Sequence, residues 1–148
     1  MPSARIDVGL THIALVVSDI ERSIAFYERY AHMRVVHRRD EPDGSTIAWV
    51  SDLTRPFAIV LAHGPRREVG LGPFAHLGVG CASRAEVDRL AALARAEGCL
   101  RSGPKDWGPP IGYVALLRDP DGHTLELSFG QEVTLTVEGA REAEEPGA

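Results

Sequence analysis

Two stretches decide how this chain folds: Thr11-His12-Ile13-Ala14-Leu15-Val16-Val17-Ser18-Asp19-Ile20-Glu21 and Ala75-His76-Leu77-Gly78-Val79-Gly80-Cys81-Ala82-Ser83-Arg84-Ala85-Glu86. Each opens an apolar strand with a histidine, passes through Ser-x-x-Glu and enters a helical pattern. Ser18 and Glu21 read as a capping box for a helix running to about Ala31. Ser83 and Glu86 read the same way for a helix that Gly98 ends. The two histidines lie 64 positions apart in a chain of 148 residues, so self-similarity predicts two modules of roughly 60 residues, each too small to close a core by itself.

Strand-like runs follow each helix. In the first module they are Met33 to Arg39, Ser45 to Ser51 and Phe57 to Ala62, with a turn at Pro42-Asp43-Gly44. In the second they lie near Cys99 to Arg101, then Ile111 to Arg118 and His123 to Phe129, with a turn at Asp119-Pro120-Asp121-Gly122. Each module therefore reads β-α-β-β-β. The expected fold class is α+β, with two such modules side by side forming one curved sheet and helices on its outer face. One domain is expected over residues 1–138, with module one at about 8–63 and module two at about 74–131. Gly64 to Pro73 reads as the linker between them. The alternating Val133 to Val137 suggests an added strand within 132–138, and 139–148 reads as a frayed tail.

Composition narrows the function classes. Sixteen basic against twenty-one acidic residues give a net charge of -5, and no Lys/Arg cluster interleaved with aromatics occurs, which argues against nucleic acid as a partner. The longest apolar run, Phe57 to Ala62, is about a third of the ~20 residues a membrane span needs. The N-terminus has no apolar signal region, so the expected location is the cytoplasm and no membrane partner is expected. Cys81 and Cys99 read as reduced core thiols.

Alternation along the strands sorts side chains by face. His12, Ala14 and Val16 oppose Ile13, Leu15 and Val17. His76, Gly78 and Gly80 oppose Leu77, Val79 and Cys81. Thr124, Glu126 and Ser128 oppose Leu125, Leu127 and Phe129. In all three strands the bulky apolar face is the one without the ionisable residue, and it should pack under the amphipathic helices. His12, His76 and Glu126 then share a face with small neighbours. Mid-strand imidazoles and a carboxylate are costly unless a cation or hydrogen bonds satisfy them. Two His and one carboxylate with open positions make the facial set used for non-haem Fe(II), and Mn, Zn, Ni and Co suit it as well.

On these residues the chain resembles the vicinal oxygen chelate superfamily of glyoxalases, bleomycin-resistance proteins and extradiol dioxygenases. The likeness spans about Gly9 to Gln131. Its most specific pieces are the early His12 segment, His76 opening the second module, and Asp-Pro-Asp-Gly-His-Thr-Leu-Glu-Leu-Ser around Glu126. The resemblance implies that the two modules form a cupped, half-open mixed sheet around a metal site, where a divalent metal, Fe(II) or Mn favoured, chelates adjacent oxygens of a small-molecule substrate. It also implies a homodimer, with ligands within one chain or shared between chains. Glyoxalase I adds a fourth ligand, Glu or Gln, on the last strand of the first module, where this chain has Phe57-Ala58-Ile59-Val60-Leu61-Ala62. Extradiol dioxygenases use three ligands at spacings similar to the 64 and 50 positions here, plus a His near that strand and a Tyr ten residues before the ligand Glu. Those positions hold Phe57 and Leu116.

His63, just past the strand end, and Tyr113 stand as the catalytic candidates, although a solvated strand end and plain packing are the commoner readings of such residues. Phe57, Trp107 and Leu116 are expected at the substrate pocket, with loop packing as the other reading of Trp107. Arg34, Arg38 and Arg118 are candidates to meet an anionic substrate or to stay on the surface. The expected function is a metal-dependent enzyme on the ligands His12, His76 and Glu126, a dioxygenase by a small margin over a glyoxalase-like isomerase or lyase. A drug- or metabolite-binding resistance protein and a metal-free relic are the competing classes.

Overall fold

A computed structural model describes residues 7, 10–66, 74–144 and 147. The elements run β1 (His12–Val17), α1 (Ile20–Ala31), β2 (Arg34–Asp40), β3 (Thr46–Ser51), β4 (Ala58–His63), β5 (His76–Gly80), α2 (Arg84–Ala96), β6 (Leu100–Asp106), β7 (Tyr113–Arg118), β8 (Thr124–Phe129) and α3 (Val133–Glu144). The strands form two four-stranded sheets, ordered β1-β4-β3-β2 and β5-β8-β7-β6. In each, the first strand pairs in parallel with the last and the other pairs are antiparallel. The repeat read from the two histidine segments is thus a repeat of β-α-β-β-β topology in an α+β fold. The chain divides into two compact units, Met1–Pro73 with Asp119–His123, and Phe74–Arg118 with Thr124–Ala148.

In the first unit one sheet face is apolar and buried. Leu15 and Val17 of β1, Ile59 and Leu61 of β4, and Ala48 and Val50 of β3 lie on it. Helix α1, which packs against β2, β3 and β4, covers this face with Ile20, Ile24, Tyr27 and Ala31, a stripe at helical spacing. The opposite face, with His12, Ala14 and Val16, is exposed or half-buried. The turn Asp119–His123, which joins β7 to β8 along the chain, belongs to this unit. Tyr27, fully buried, donates its hydroxyl to Asp119 Oδ2 at 2.9 Å. Asp119 Oδ1 accepts the backbone N–H groups of Asp121 and His123 at 2.9 and 2.8 Å. Burial pushes the Tyr27 phenol far above its ordinary range, with the Asp119 charge adding to it. Burial also raises Asp119, partly opposed by the His123 charge.

In the second unit Leu125 and Leu127 of β8 and their cross-strand partners Leu117 and Ala115 of β7 are fully buried. Helix α2 packs on β6, β7 and β8 and buries Val87, Leu90, Ala91 and Ala94. Ser83 caps α2 by accepting Glu86 N–H at 3.0 Å, and Gly98 at φ +75° closes it, both as the sequence predicts.

The structure differs from the sequence reading at four places. The N-cap of α1 is Asp19, which accepts Arg22 N–H at 3.1 Å. Ser18 instead donates its N–H and hydroxyl to Asp121 Oδ1 at 3.0 and 2.6 Å, so a turn distant in sequence wins it from the helix. The expected strand at Val133 to Val137 is the first part of helix α3. Valine and threonine alternate there, but no strand pairs with them, whereas Thr136 N–H bonds to Glu132 C=O at 3.1 Å and the following Ala/Glu/Arg residues favour a helix. Helix α3 also continues through most of the expected tail, to Glu144; 145, 146 and 148 lie outside the described residues. Finally, β6 runs through Gly103-Pro104 to Asp106, read from sequence as loop. It is the edge strand, where a proline costs no ladder bond, and its register slips between Leu100 and Lys105. Of the expected linker only 64–66 are described; 67–73 lie outside. Cys81 and Cys99 are half-buried and form no disulfide. No helix among the described residues is long and apolar enough to cross a membrane.

Two predictions follow from the packing. Tyr27→Phe leaves Asp119 Oδ2 buried without its donor and should lower the unfolding free energy by about 1–3 kcal/mol, read by urea titration. Gly112, at φ +87°, has no room for a Cβ, which would stand 2.5 Å from the Phe129 carbonyl oxygen. Gly122, at φ +89°, opens on free space. Gly112→Ala should therefore destabilise more than Gly122→Ala, whose cost is the conformational ~1–2 kcal/mol alone.

Candidate metal centre

Strand β8 buries every residue except Phe129. Its register sets Glu126 across from Leu116 of β7 and beside Gly78 of β5. Leu125 and Leu127 take the α2 face, so Glu126 projects from the other, the face that His76 also occupies. Glu126 is 8% exposed, and a carboxylate withdrawn from water needs donors or a cation. Gln131 Nε2 donates to its Oε1 at 3.2 Å. His76 Nε2 lies 3.1 Å from its Oε2.

The tautomer of His76 follows from its other contact. Nδ1 lies 2.6 Å from the carbonyl oxygen of Phe74; a carbonyl only accepts, so Nδ1 carries a proton. With a neutral ring Nε2 presents a lone pair to Glu126 Oε2 and two acceptors share one position; with a protonated ring Nε2–H donates to that oxygen. A cation between them, a proton or a divalent metal, satisfies both. Nitrogen and oxygen donors each ~2.1 Å from a metal and near a right angle apart stand ~3.0 Å from one another, close to the separation observed. An imidazole whose second nitrogen is held by a backbone carbonyl is also the usual setting of a metal-ligating histidine. The pair fits a divalent ion.

His12 belongs to the first unit. It opens β1 beside Ala58, with Nδ1 2.9 Å from Thr11 Oγ1, and lines a hollow of about 580 Å³ together with Phe57, Trp49, Val60 and Arg55. Among the described residues no three of His, Cys, Asp and Glu are gathered closely enough to hold a metal. The structure therefore brings His76 and Glu126 together and sets His12 and Phe57 on one hollow.

The other candidates are placed differently. Tyr113 pairs with Phe129, on the α2 face of the sheet. Its hydroxyl donates to Asp88 and the Arg84 guanidinium stacks 4.1 Å above its ring. The Asp88 bond raises its pKa. It therefore faces away from Glu126, and strand parity gives the reason. His63 pairs with Val17 and takes the face opposite His12. It is exposed at the strand end, where its charge adds slightly to the Ser45 hydrogen bonds that hold the Asp43 carboxyl below its ordinary value. Trp107 is 57% exposed, with Lys105 Nζ 3.9 Å from its ring centre. Leu116 does stand on the Glu126 face. Arg38 is committed to Glu21 at 2.6 Å; Arg34 and Arg118 are exposed.

Two residues escape the sequence reading. Gln131 follows Gly130, whose φ of +78° turns the chain back toward Glu126. The alternation pattern ends at Phe129 and gives no sign of this. Arg55 sits in the β3–β4 loop, where nothing in its neighbours marks it.

Residues 9–127 match the Glyoxalase/Bleomycin resistance protein/Dioxygenase superfamily, and the chain belongs to that superfamily. An uncharacterized protein of Pseudomonas aeruginosa is 42% identical over 125 residues, covering 82% of this chain and 89% of its own. The lactoylglutathione lyase of Neisseria meningitidis serogroup A is 28% identical over 124 residues, covering 80% and 88%. Among solved structures, a variant of the fosfomycin resistance protein FosX of Listeria monocytogenes, complexed with Mn(II) and 1S,2S-dihydroxypropylphosphonic acid, superposes with a TM-score of 0.67 at 19% identity, covering 89% and 99%. That likeness concerns the fold.

For an ion held on the His76–Glu126 pair, Gln131→Ala frees Oε1 to rotate and should weaken Mn(II) affinity about 10–100-fold, with an unchanged far-UV circular dichroism spectrum. Unchanged affinity in a competition titration would show the Gln131 bond to be idle.

Proposed function

We propose that the chain is a metal-dependent enzyme that binds a small substrate through two adjacent oxygens, on a divalent ion held by His12, His76 and Glu126. The observation that carries this reading is the His76–Glu126 pair, in which Nε2 and a buried carboxylate oxygen lie 3.1 Å apart while the Phe74 carbonyl holds the other ring nitrogen. His12 enters as the residue equivalent to His76 in the repeat. A bound ion supplies Lewis acidity and a template for the substrate oxygens. The chain's own residues hold the ligands: Gln131 occupies Glu126 Oε1, and the Phe74 carbonyl orients the imidazole.

Among reactions, a dioxygenase is favoured. The side of β4 that faces with His12 carries Ala58, Val60 and Ala62, so it offers no second carboxylate for a glyoxalase-type proton shuttle. Across from Glu126 stands Leu116, and Tyr113 and His63 lie on the helix-covered faces, so no side-chain acid or base is contributed from those positions. The relative named lactoylglutathione lyase supports the second reading, a lyase or isomerase. The working form proposed is a homodimer.

Anaerobic purification followed by elemental analysis should find about one divalent ion per chain, lost in His76→Ala and Glu126→Ala and weakened in His12→Ala. A chain that binds no divalent ion, or variants that bind it as well as the parent, would overturn the metal reading. Oxygen uptake with catechols, set against turnover of a methylglyoxal–thiol adduct, separates the two reactions: the first should proceed and the second should not.

A further inference from the structure

The hollow of about 580 Å³ lies wholly on the first unit, on the sheet face that α1 leaves bare, and its size suits a small ligand. Its walls are mostly apolar. Val36, Trp49 and Val60 come from the sheet, and Leu53, Pro56 and Phe57 from the β3–β4 loop and its end. Trp49 is 44% exposed there, a large ring left in water by the chain's own packing. The loop also contributes one exposed arginine, Arg55, to the lining.

Arg55 differs from the chain's other well-placed arginines. Arg38, Arg39, Arg84 and Arg89 each hold a carboxylate, whereas Arg55 has no ion-pair partner among the described residues. Asp7 also lines the hollow without pairing to it. The loop is fixed by its own bonds. Asp52 Oδ1 accepts the N–H and hydroxyl of Thr54 at 3.0 and 2.7 Å. Ser51 Oγ accepts Leu53 N–H at 3.1 Å and donates to the Phe57 carbonyl at 2.9 Å. Leu53 is held at φ +62°, a left-handed conformation that a branched side chain adopts at a cost of order 1–3 kcal/mol. A strained, self-bonded loop thus holds an arginine without an ion-pair partner on a hollow that Phe57 and Trp49, whose ring meets His37 at 5.0 Å, also line.

We infer that this hollow takes an aromatic acid: a planar apolar body against Trp49 and Phe57, with its anionic group on Arg55. A guanidinium matches a carboxylate with two parallel hydrogen bonds, and a partly apolar wall strengthens that pairing over what bulk water allows. The inference rests on the enzyme reading only in calling this occupant a substrate, since His12 lines the same hollow. Binding of the acid end depends on Arg55 and not on His76 or Glu126.

The test uses the full chain carrying Trp107→Phe, so that Trp49 is its single tryptophan. Titration with trans-cinnamate should quench Trp49 fluorescence saturably. Cinnamamide, of the same shape without the charge, should bind at least about tenfold more weakly, and hexanoate, charged without a ring, should also be weaker. Arg55→Gln should bring cinnamate down to the amide's level, and Arg55→Lys should keep part of the preference. Thermal melts check that both variants are folded. Equal binding of acid and amide, an unchanged cinnamate affinity in Arg55→Gln, or no saturable quenching would overturn the inference. The same titration in Glu126→Ala separates the two proposals. Selectivity for cinnamate should survive in Glu126→Ala; a parent chain that binds cinnamate selectively but holds no divalent ion sinks the metal reading alone, and a parent that holds the ion without that selectivity sinks the aromatic-acid hollow alone.

Discussion

A carboxylate buried on the second strand of a sheet has to be answered, and much of the second unit is arranged around the answer given to Glu126. Its strand neighbours Leu125 and Leu127 commit β8 to the α2 face, so Glu126 cannot turn toward the helix without reversing the register of the whole strand. Once it projects from the other face, burial removes the water that would otherwise solvate it. One oxygen is satisfied by Gln131, reached through the turn at Gly130, and the other meets an imidazole with its proton fixed on the far side. The arrangement is complete for one oxygen and leaves the other to a cation.

The first unit solves a different problem. It has one covered face, under α1, and one face left open to water. The covered face is stabilised by aliphatic packing and by Tyr27, which buries its ring among the helix contacts and sends its hydroxyl to Asp119. Asp119 in turn spends its second oxygen on two backbone N–H groups of its own turn. Ser18, released from helix capping, holds Asp121. The exposed face, by contrast, carries small residues on β1 and β4 and a large one, Trp49, on β3. This uneven relief makes a hollow where a uniform set of side chains would make a flat wall.

The order of elements was legible in the sequence because it depends on signals that act locally: alternation at β1, β5 and β8, the helical stripe of α1, the Ser83 cap and Gly98. The repeat added the long-range information, since two similar segments imply two similar topologies. What the sequence concealed depends on competition between distant partners. Ser18 has the right spacing to cap α1, but Asp19 is equally suited and Asp121 claims the serine. Val133 to Val137 alternates like a strand, but a strand needs a neighbour and none pairs with it. Alternation set His76 and Glu126 on one face, as the register does, and the same rule places Leu116 with them and Tyr113 and His63 on the helix-covered faces once the register is known. Gln131 and Arg55 lie just beyond regular elements, where periodicity carries no information and only the turn geometry decides what a side chain can reach.

The placement of acids and bases limits the chemistry more than the ligand set does. A reaction that moves protons between carbon atoms needs a base within hydrogen-bond reach of the substrate. The residues across from and beside Glu126 on its own face are Leu116 and Gly78, and the β4 residues beside His12 are aliphatic. Gln131 can donate a hydrogen bond but cannot take a proton at neutral pH. A substrate that brings its own ionisable oxygen, as a vicinal diol on an aromatic ring does, asks less of such a site than one whose C–H bond the protein has to break.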